Sequence, residues 1–206
     1  MSELVRRFLG GRDPEQFLDE YWQKKPLLVR EAVPDFSSPL TPEELAGLAC
    51  EPDNPSRLVL EEGGEYPWEL REGPFDEETF LNLPEKQWSL LVQEVDRRVP
   101  AVHELLDLVA FLPRWRVDDV MVSYAPDEGT VGAHLDNYDV FLLQGDGERR
   151  WEIERTARAP GEQSLRSEAD VQIMENFDPD ESWVLEPGDV LYLPPRVPHY
   201  GIAVGD

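Results

Sequence analysis

The chain has 206 residues, and its 44 acidic against 19 basic side chains give a formal charge of −25 at pH 7, a surface that repels nucleic acid and predicts no direct nucleic-acid partner. An apolar content of 40% with six tryptophans is ample for a packed core and excludes a disordered chain. The single cysteine, Cys50, excludes an internal disulfide, the N-terminal run lacks an apolar leader core, and no stretch reaches membrane-span length, so a cytoplasmic protein without a membrane partner is expected.

Asp13-Pro14-Glu15-Gln16 has the order N-cap, proline at the first helical position and capping-box partner. It predicts a helix with Phe17, Leu18, Tyr21 and Trp22 on one side. Thr41-Pro42-Glu43-Glu44 repeats the device ahead of Leu45 and Leu48. Proline and glycine mark loops at 34–39, 52–55 and Gly63-Gly64. Trp88, Leu90 and Val92 alternate as in a strand, whereas Val102, Leu105, Leu106 and Val109 recur at helical spacing up to Pro113. His103 on that helix reads as an ordinary surface histidine.

From Arg116 onward the texture turns to short β runs at Val117–Tyr124, His134–Leu143, Glu148–Glu154, Val171–Met174, Trp183–Glu186, Val190–Leu193 and Gly201–Val204. Turn signals at 125–129, Gly145-Asp146-Gly147 and Glu186-Pro187-Gly188-Asp189 separate them. The expected fold is mainly β with N-terminal helices (α+β): a double-stranded β-helix, or jelly roll, of the cupin type. A jelly roll needs eight strands, and seven are read up to Asp206, so a barrel without its last strand is expected. Residues 1–115 form a helical and mixed segment packing on the barrel, and 116–206 form the barrel core.

The chemistry concentrates in His134-Leu135-Asp136 and in His199, sixty-five residues after the first histidine. On a strand the side chains of His134 and Asp136 share a face with Tyr138, Val140 and Leu142. Gly132 and Ala133 before them leave room for a metal and a small molecule. Pro194-Pro195-Arg196-Val197-Pro198 ends the preceding strand and stiffens the loop that delivers His199. Two histidines and one carboxylate with open positions opposite is the ligand set of non-haem Fe(II) oxygenases. The competing readings are histidines that only form hydrogen bonds, or a site for a non-redox metal.

Iron of this kind needs an electron source, and the usual one is 2-oxoglutarate, whose free carboxylate requires a buried cation. In Glu148-Arg149-Arg150-Trp151-Glu152-Ile153, alternation places Arg149 with Trp151 and Ile153 on the apolar face and Arg150 on the wet one. Arg149 is therefore the expected carboxylate partner; the competing reading pairs it with a structural acid. Ser123, near Met121, is a further candidate for that carboxylate. Tyr138, Asp139, Asp127 and Glu128 are candidates to line the entrance and meet a cationic substrate, although each acid taken singly also reads as a solvated loop carboxylate.

Gly132-Ala133-His134-Leu135-Asp136-Asn137-Tyr138-Asp139-Val140-Phe141, then Gln144-Gly145 and Arg149-Arg150-Trp151, resemble the JmjC-type ribosomal oxygenases of the cupin superfamily. The bacterial ribosomal-protein arginine hydroxylases are the most similar branch. The likeness extends to Tyr21-Trp22-Gln23-Lys24-Lys25-Pro26-Leu27-Leu28, 44–49, Ser56-Arg57-Leu58-Val59, Gly73-Pro74-Phe75, 88–93 and 112–119, nearly the whole chain. The resemblance implies Fe(II) on His134, Asp136 and His199, and 2-oxoglutarate held by the basic residue fifteen positions after the first histidine, Arg149. Eukaryotic relatives carry lysine there and hydroxylate histidine. The implied reaction uses O2 to hydroxylate the β-carbon of an arginine on the large-subunit ribosomal protein L16. A basic partner gives the −25 charge a use, beside salt adaptation of the host, which the scarcity of lysine (Lys24, Lys25 and Lys86) suits. Family members continue into a last strand, a helical region that forms a homodimer and a winged-helix lobe, none of which is present here. Three alternatives stand beside this reading. They are JmjC hydroxylation or demethylation of another residue, a metal-dependent cupin that does not use 2-oxoglutarate, and a non-catalytic module that binds ribosomal protein.

Overall fold

A computed structural model describes residues 2–61, 68–165 and 172–205. In chain order the elements are α1 (Glu3–Phe8), α2 (Pro14–Glu20), β1 (Leu27–Val29), α3 (Pro42–Cys50), β2 (Ser56–Glu61), β3 (Trp68–Glu72), α4 (Glu77–Leu81), β4 (Trp88–Val92), α5 (Pro100–His103), β5 (Val122–Tyr124), β6 (Val140–Leu143), β7 (Glu148–Ile153), β8 (Glu181–Leu185), β9 (Val190–Leu193) and β10 (His199–Val204). They form two compact units. Among the described residues the first comprises 2–37, 132–165 and 172–205; the second comprises 38–61 and 68–131.

The first unit is the jelly-roll part. Two antiparallel sheets, ordered β1-β9-β6 and β10-β7-β8, enclose a core of Trp151, Ile153, Leu185, Leu191, Leu193 and Val197. All four residues of β9 are buried, because the strand is covered on both faces. Leu191 and Leu193 point into the barrel, and Tyr192 points out beneath the N-terminal helices. There Phe17 meets Tyr192 edge to face at 5.0 Å, and Phe141 packs on Tyr192 at 4.9 Å and on Phe8 at 5.3 Å. The predicted capping box at Asp13 and Gln16 is formed. The helix it opens closes this aromatic layer.

The second unit packs α3 on the sheet β3-β2-β4-β5, burying Leu45, Ala49, Leu58, Leu60, Leu90 and Val92 among others. The capping box at Thr41 and Glu44 is also present. The run read as one helix from Val102 divides instead. Its α-helical part is only Pro100–His103, and Glu104–Val109 winds on as a 3-10 helix.

Several expectations for the barrel are corrected. β1 lies in a barrel sheet beside β9, while β5, expected in the barrel, pairs with β4 in the other sheet. The strand expected over His134–Leu143 is interrupted by a bend at Asn137 and Tyr138, leaving β6 to start at Val140. Within the expected strand Val171–Met174, Val171 lies outside the described residues, as does the Gly63-Gly64 loop. Met174 makes one isolated bridge, to Leu165. Among the described residues no helix is long and apolar enough to cross a membrane.

Candidate metal centre

His134 and His199 are brought together by their own backbones. The His134 N–H donates to the His199 carbonyl at 3.0 Å, and the His199 N–H returns a bond to the His134 carbonyl at 2.8 Å. This reciprocal pair places the imidazoles side by side, with ring centroids 4.2 Å apart. Asp136, two residues on, is carried over the same site by a bond from the Arg196 N–H to its carbonyl at 2.6 Å. The Asp136 Oδ2 stands 3.6 Å from His199 Nε2.

The ligating atoms of His134, Asp136 and His199 all lie within 4.8 Å of one another, and an ion with bonds of about 2.1 Å fits among donors so spaced. Among the described residues this is the one such cluster of histidine, cysteine and acidic groups. Both rings are oriented in the same way. His134 Nδ1 lies 2.9 Å from the carbonyl of Gly132, and His199 Nδ1 lies 2.9 Å from that of Val197. A carbonyl only accepts, so each Nδ1 is the protonated nitrogen, and each Nε2 presents its lone pair. Burial, reinforced by the neighbouring His134, pushes the pKa of His199 down to about 3 and keeps its ring neutral, the form that binds metal.

The glycine before the triad has another use than the expected one. Gly132 sits at φ +82, and a Cβ there would lie 2.8 Å from Ile173. The space a Cβ would take there is filled by Ile173. Gly201 is set by a close approach beside the triad. A Cβ at that position would strike the Trp151 ring at 2.7 Å, so its absence lets the indole lie across β10, 5.7 Å from the His199 ring.

The alternation expected along β7 is observed. Trp151 and Ile153 are buried, and Arg150 is exposed and paired with Glu152 at 3.2 Å. Arg149 is opposite Ala203 on β10, and Ile153 is opposite His199. Arg149 and His199 therefore belong to one face of the sheet, about 13 Å apart along the strand. Arg149 is half-buried as a residue, but its guanidinium is desolvated enough to draw its pKa down to about 10. It remains a cation at neutral pH. Among the described residues no carboxylate forms an ion pair with it.

The remaining candidates are dispersed. Tyr138 follows the triad segment and is 64% exposed. Asp139 is held by the Tyr192 hydroxyl, which donates to Oδ1 at 2.5 Å, and by the Gln23 amide at 3.0 Å. Ser123 lies on an exposed position of β5 in the second unit, opposite Leu91. Asp127 is also in the second unit, where its carbonyl accepts the Gln87 N–H at 3.1 Å; Glu128 beside it is paired with Lys86 at 2.7 Å. His103 is exposed on α5 and stands outside the triad. Arg196, which bonds to the Asp136 segment, was not singled out by the sequence pattern.

A double-sheeted β unit with a two-histidine, one-carboxylate cluster at the end of its sheets defines a class of metal-binding cupin-like domains. The profile of the JmjC domain family matches residues 104–206, and the chain belongs to that family. It is 43% identical over 196 residues to a probable ribosomal oxygenase of Haemophilus influenzae, covering 94% of this chain and 47% of the relative. It is 41% identical over 192 residues to the ribosomal protein uL16 3-hydroxylase of Escherichia coli K12, covering 91% and 48%. The structure of the Escherichia coli ribosomal oxygenase YcfD with cobalt and 2-oxoglutarate superposes with a TM-score of 0.81 at 38% identity, over 95% of this chain and 49% of that one. The chain thus spans about half the length of these relatives.

Proposed function

We propose that this chain carries the catalytic core of an Fe(II)- and 2-oxoglutarate-dependent oxygenase. We further propose that it hydroxylates the β-carbon of an arginine on the large-subunit ribosomal protein uL16. The observation that supports this most directly is the pairing of two features on one sheet: an oriented His134, Asp136 and His199 cluster, and a desolvated Arg149 farther along the same face that no carboxylate among the described residues pairs. The similarity to a uL16 hydroxylase and to a cobalt and 2-oxoglutarate complex supports the substrate and the co-substrate.

His134 and His199 would hold the metal through Nε2, and Asp136 through a carboxylate oxygen. Bound iron supplies O2 activation coupled to oxidative decarboxylation of 2-oxoglutarate, with one oxygen atom ending in succinate and the other in the substrate C–H bond. The rest is placement. The guanidinium of Arg149 would hold the distal carboxylate of 2-oxoglutarate, since its planar fork suits a carboxylate. Trp151 and Ile153, both buried, keep water from that stretch of wall. Tyr138 stands exposed immediately after the ligand segment, where a protein side chain can reach it.

The test is to incubate the chain with Fe(II), 2-oxoglutarate and large-subunit ribosomal proteins, follow succinate, and map every added oxygen by mass spectrometry. One oxygen on an arginine of uL16, absent in H199A, is the expected result. Loss of a methyl group, or a modified histidine, would reassign the substrate. Succinate at background with intact metal binding would remove the oxygenase assignment.

A further inference from the structure

Arg196 stands between the two ligand-bearing segments and touches both. It occupies the left-handed region at φ 66, a conformation that a non-glycine residue keeps only when its surroundings hold it there. Its backbone N–H donates to the Asp136 carbonyl at 2.6 Å, and its carbonyl accepts the Arg158 N–H at 2.9 Å. The guanidinium adds three bonds: Nε to the Arg158 carbonyl at 2.6 Å, Nη2 to the Ala159 carbonyl at 2.8 Å and Nη1 to Asn137 Oδ1 at 3.0 Å. One side chain thereby fastens the turn that leads into His199 to the residue that follows Asp136, and both to the 158–159 backbone. That backbone is itself tied down. Arg158 pairs with Glu154, whose N–H donates to the Pro198 carbonyl at 3.0 Å.

We propose that Arg196 is a positioning residue for the metal triad. Its guanidinium fixes the turn so that its own N–H carries the Asp136 segment over the paired imidazoles, setting the spacing of the carboxylate from the two Nε2 atoms. Three acceptors meet three donors of a planar fork, an arrangement the point charge of a lysine does not reproduce. This inference rests on the metal-centre reading above.

The test is titration of Mn(II) into the parent 206-residue chain and into R196G, R196K and N137A, with the melting temperature of each metal-free chain recorded alongside. Glycine adopts φ 66 without strain, so R196G removes the fork and leaves the backbone path open. R196G is expected to weaken Mn(II) binding about tenfold or more, the size typical of lost outer-shell support. R196K should recover little of that, and N137A should lose about threefold. A merely structural arginine would lower the melting temperature while leaving affinity, measured well below the transition, within about twofold of the parent; that result overturns the proposal. Should R196G be too unstable to titrate, N137A at its exposed position decides alone, and unchanged affinity there overturns it equally. A parent chain that binds no Mn(II) would remove the metal-centre reading and this proposal with it. A parent that binds, beside an indifferent R196G, removes only the role of Arg196.

Discussion

Replacing Arg149 with methionine should stabilise the ligand-free chain while abolishing its response to 2-oxoglutarate. Arg149 retains its charge in surroundings that lower its pKa well below the usual guanidinium range, to about 10, with desolvation as the cause. That displacement corresponds to about 3 kcal/mol of unfavourable environment for the cation. Discounting it for the part of the residue in contact with water leaves about 1–2 kcal/mol. Methionine fills much of the same volume beside Trp151 and Ala203 without a charge. For a chain of this size the gain is about 2–8 °C in melting temperature. The ligand effect has the opposite sign. In the parent with Mn(II), 2-oxoglutarate at a hundred times its dissociation constant should stabilise by about 2.7 kcal/mol, and R149M should show almost none of this. Differential scanning fluorimetry of both chains with Mn(II), with and without 2-oxoglutarate, reads both arms. A ligand-free R149M that melts lower than the parent would refute the reasoning, because the arginine would then be satisfying a structural acid instead of awaiting an anion.

Asp189 is buried, and its carboxylate accepts the N–H groups of Glu31 at 2.8 Å and Glu186 at 3.0 Å and a bond from Arg30 at 2.6 Å. Desolvation alone would raise its pKa, but these partners outweigh it and hold the group below its usual range. Its contribution is therefore present above about pH 4 and lost as pH falls through the depressed value. Melting curves between pH 5 and pH 3 should fall less steeply for D189N, from a lower starting point. Y192F keeps the aromatic stack but deprives Asp139 of a donor and the Gln23 N–H of its acceptor at 2.9 Å. It should cost about 2 kcal/mol in urea denaturation with an unchanged m-value. H103A should leave Mn(II) affinity untouched, whereas H199A should eliminate it by calorimetry, since only the latter removes a member of the cluster.

How legible these features were in the chain depends on what kind of force placed them. The two capping boxes and β4 were readable because local spacing settles them. The inward turn of Arg149 was readable because a six-residue strand with two apolar neighbours admits only one phase. β9 was visible as a continuous apolar run, but not the reason for it. That reason is an outer layer of Phe17 and Trp22 supplied from the far end of the chain. The same long-range pairing drew β1 into the barrel sheet and β5 away from it, and neither choice is written in three-residue strands. Alternation failed between His134 and Val140, where it was asked to cross a bend. The convergence of His134 with Asp136 survives that failure because it depends on bonding to the 196–199 turn.

What the chain conceals most fully is the way its imidazoles are aimed. In many metal sites a carboxylate side chain orients the ligating histidine and raises its basicity. Here both rings fold back on the carbonyl two residues earlier, Gly132 for His134 and Val197 for His199, at the same 2.9 Å. A backbone carbonyl carries no sequence signature, so the device cannot be found by looking for a partner residue. It also does not titrate. Protonation of an outer-shell acid therefore cannot loosen these rings, and their aim depends only on the local chain path: a glycine at φ +82 packed under Ile173 at one end, a proline-bounded turn at the other. Asp136 has no such self-contained support. The third ligand reaches the site through a bond from a neighbouring backbone amide, and this is the point at which a distant side chain can set the affinity of the whole centre.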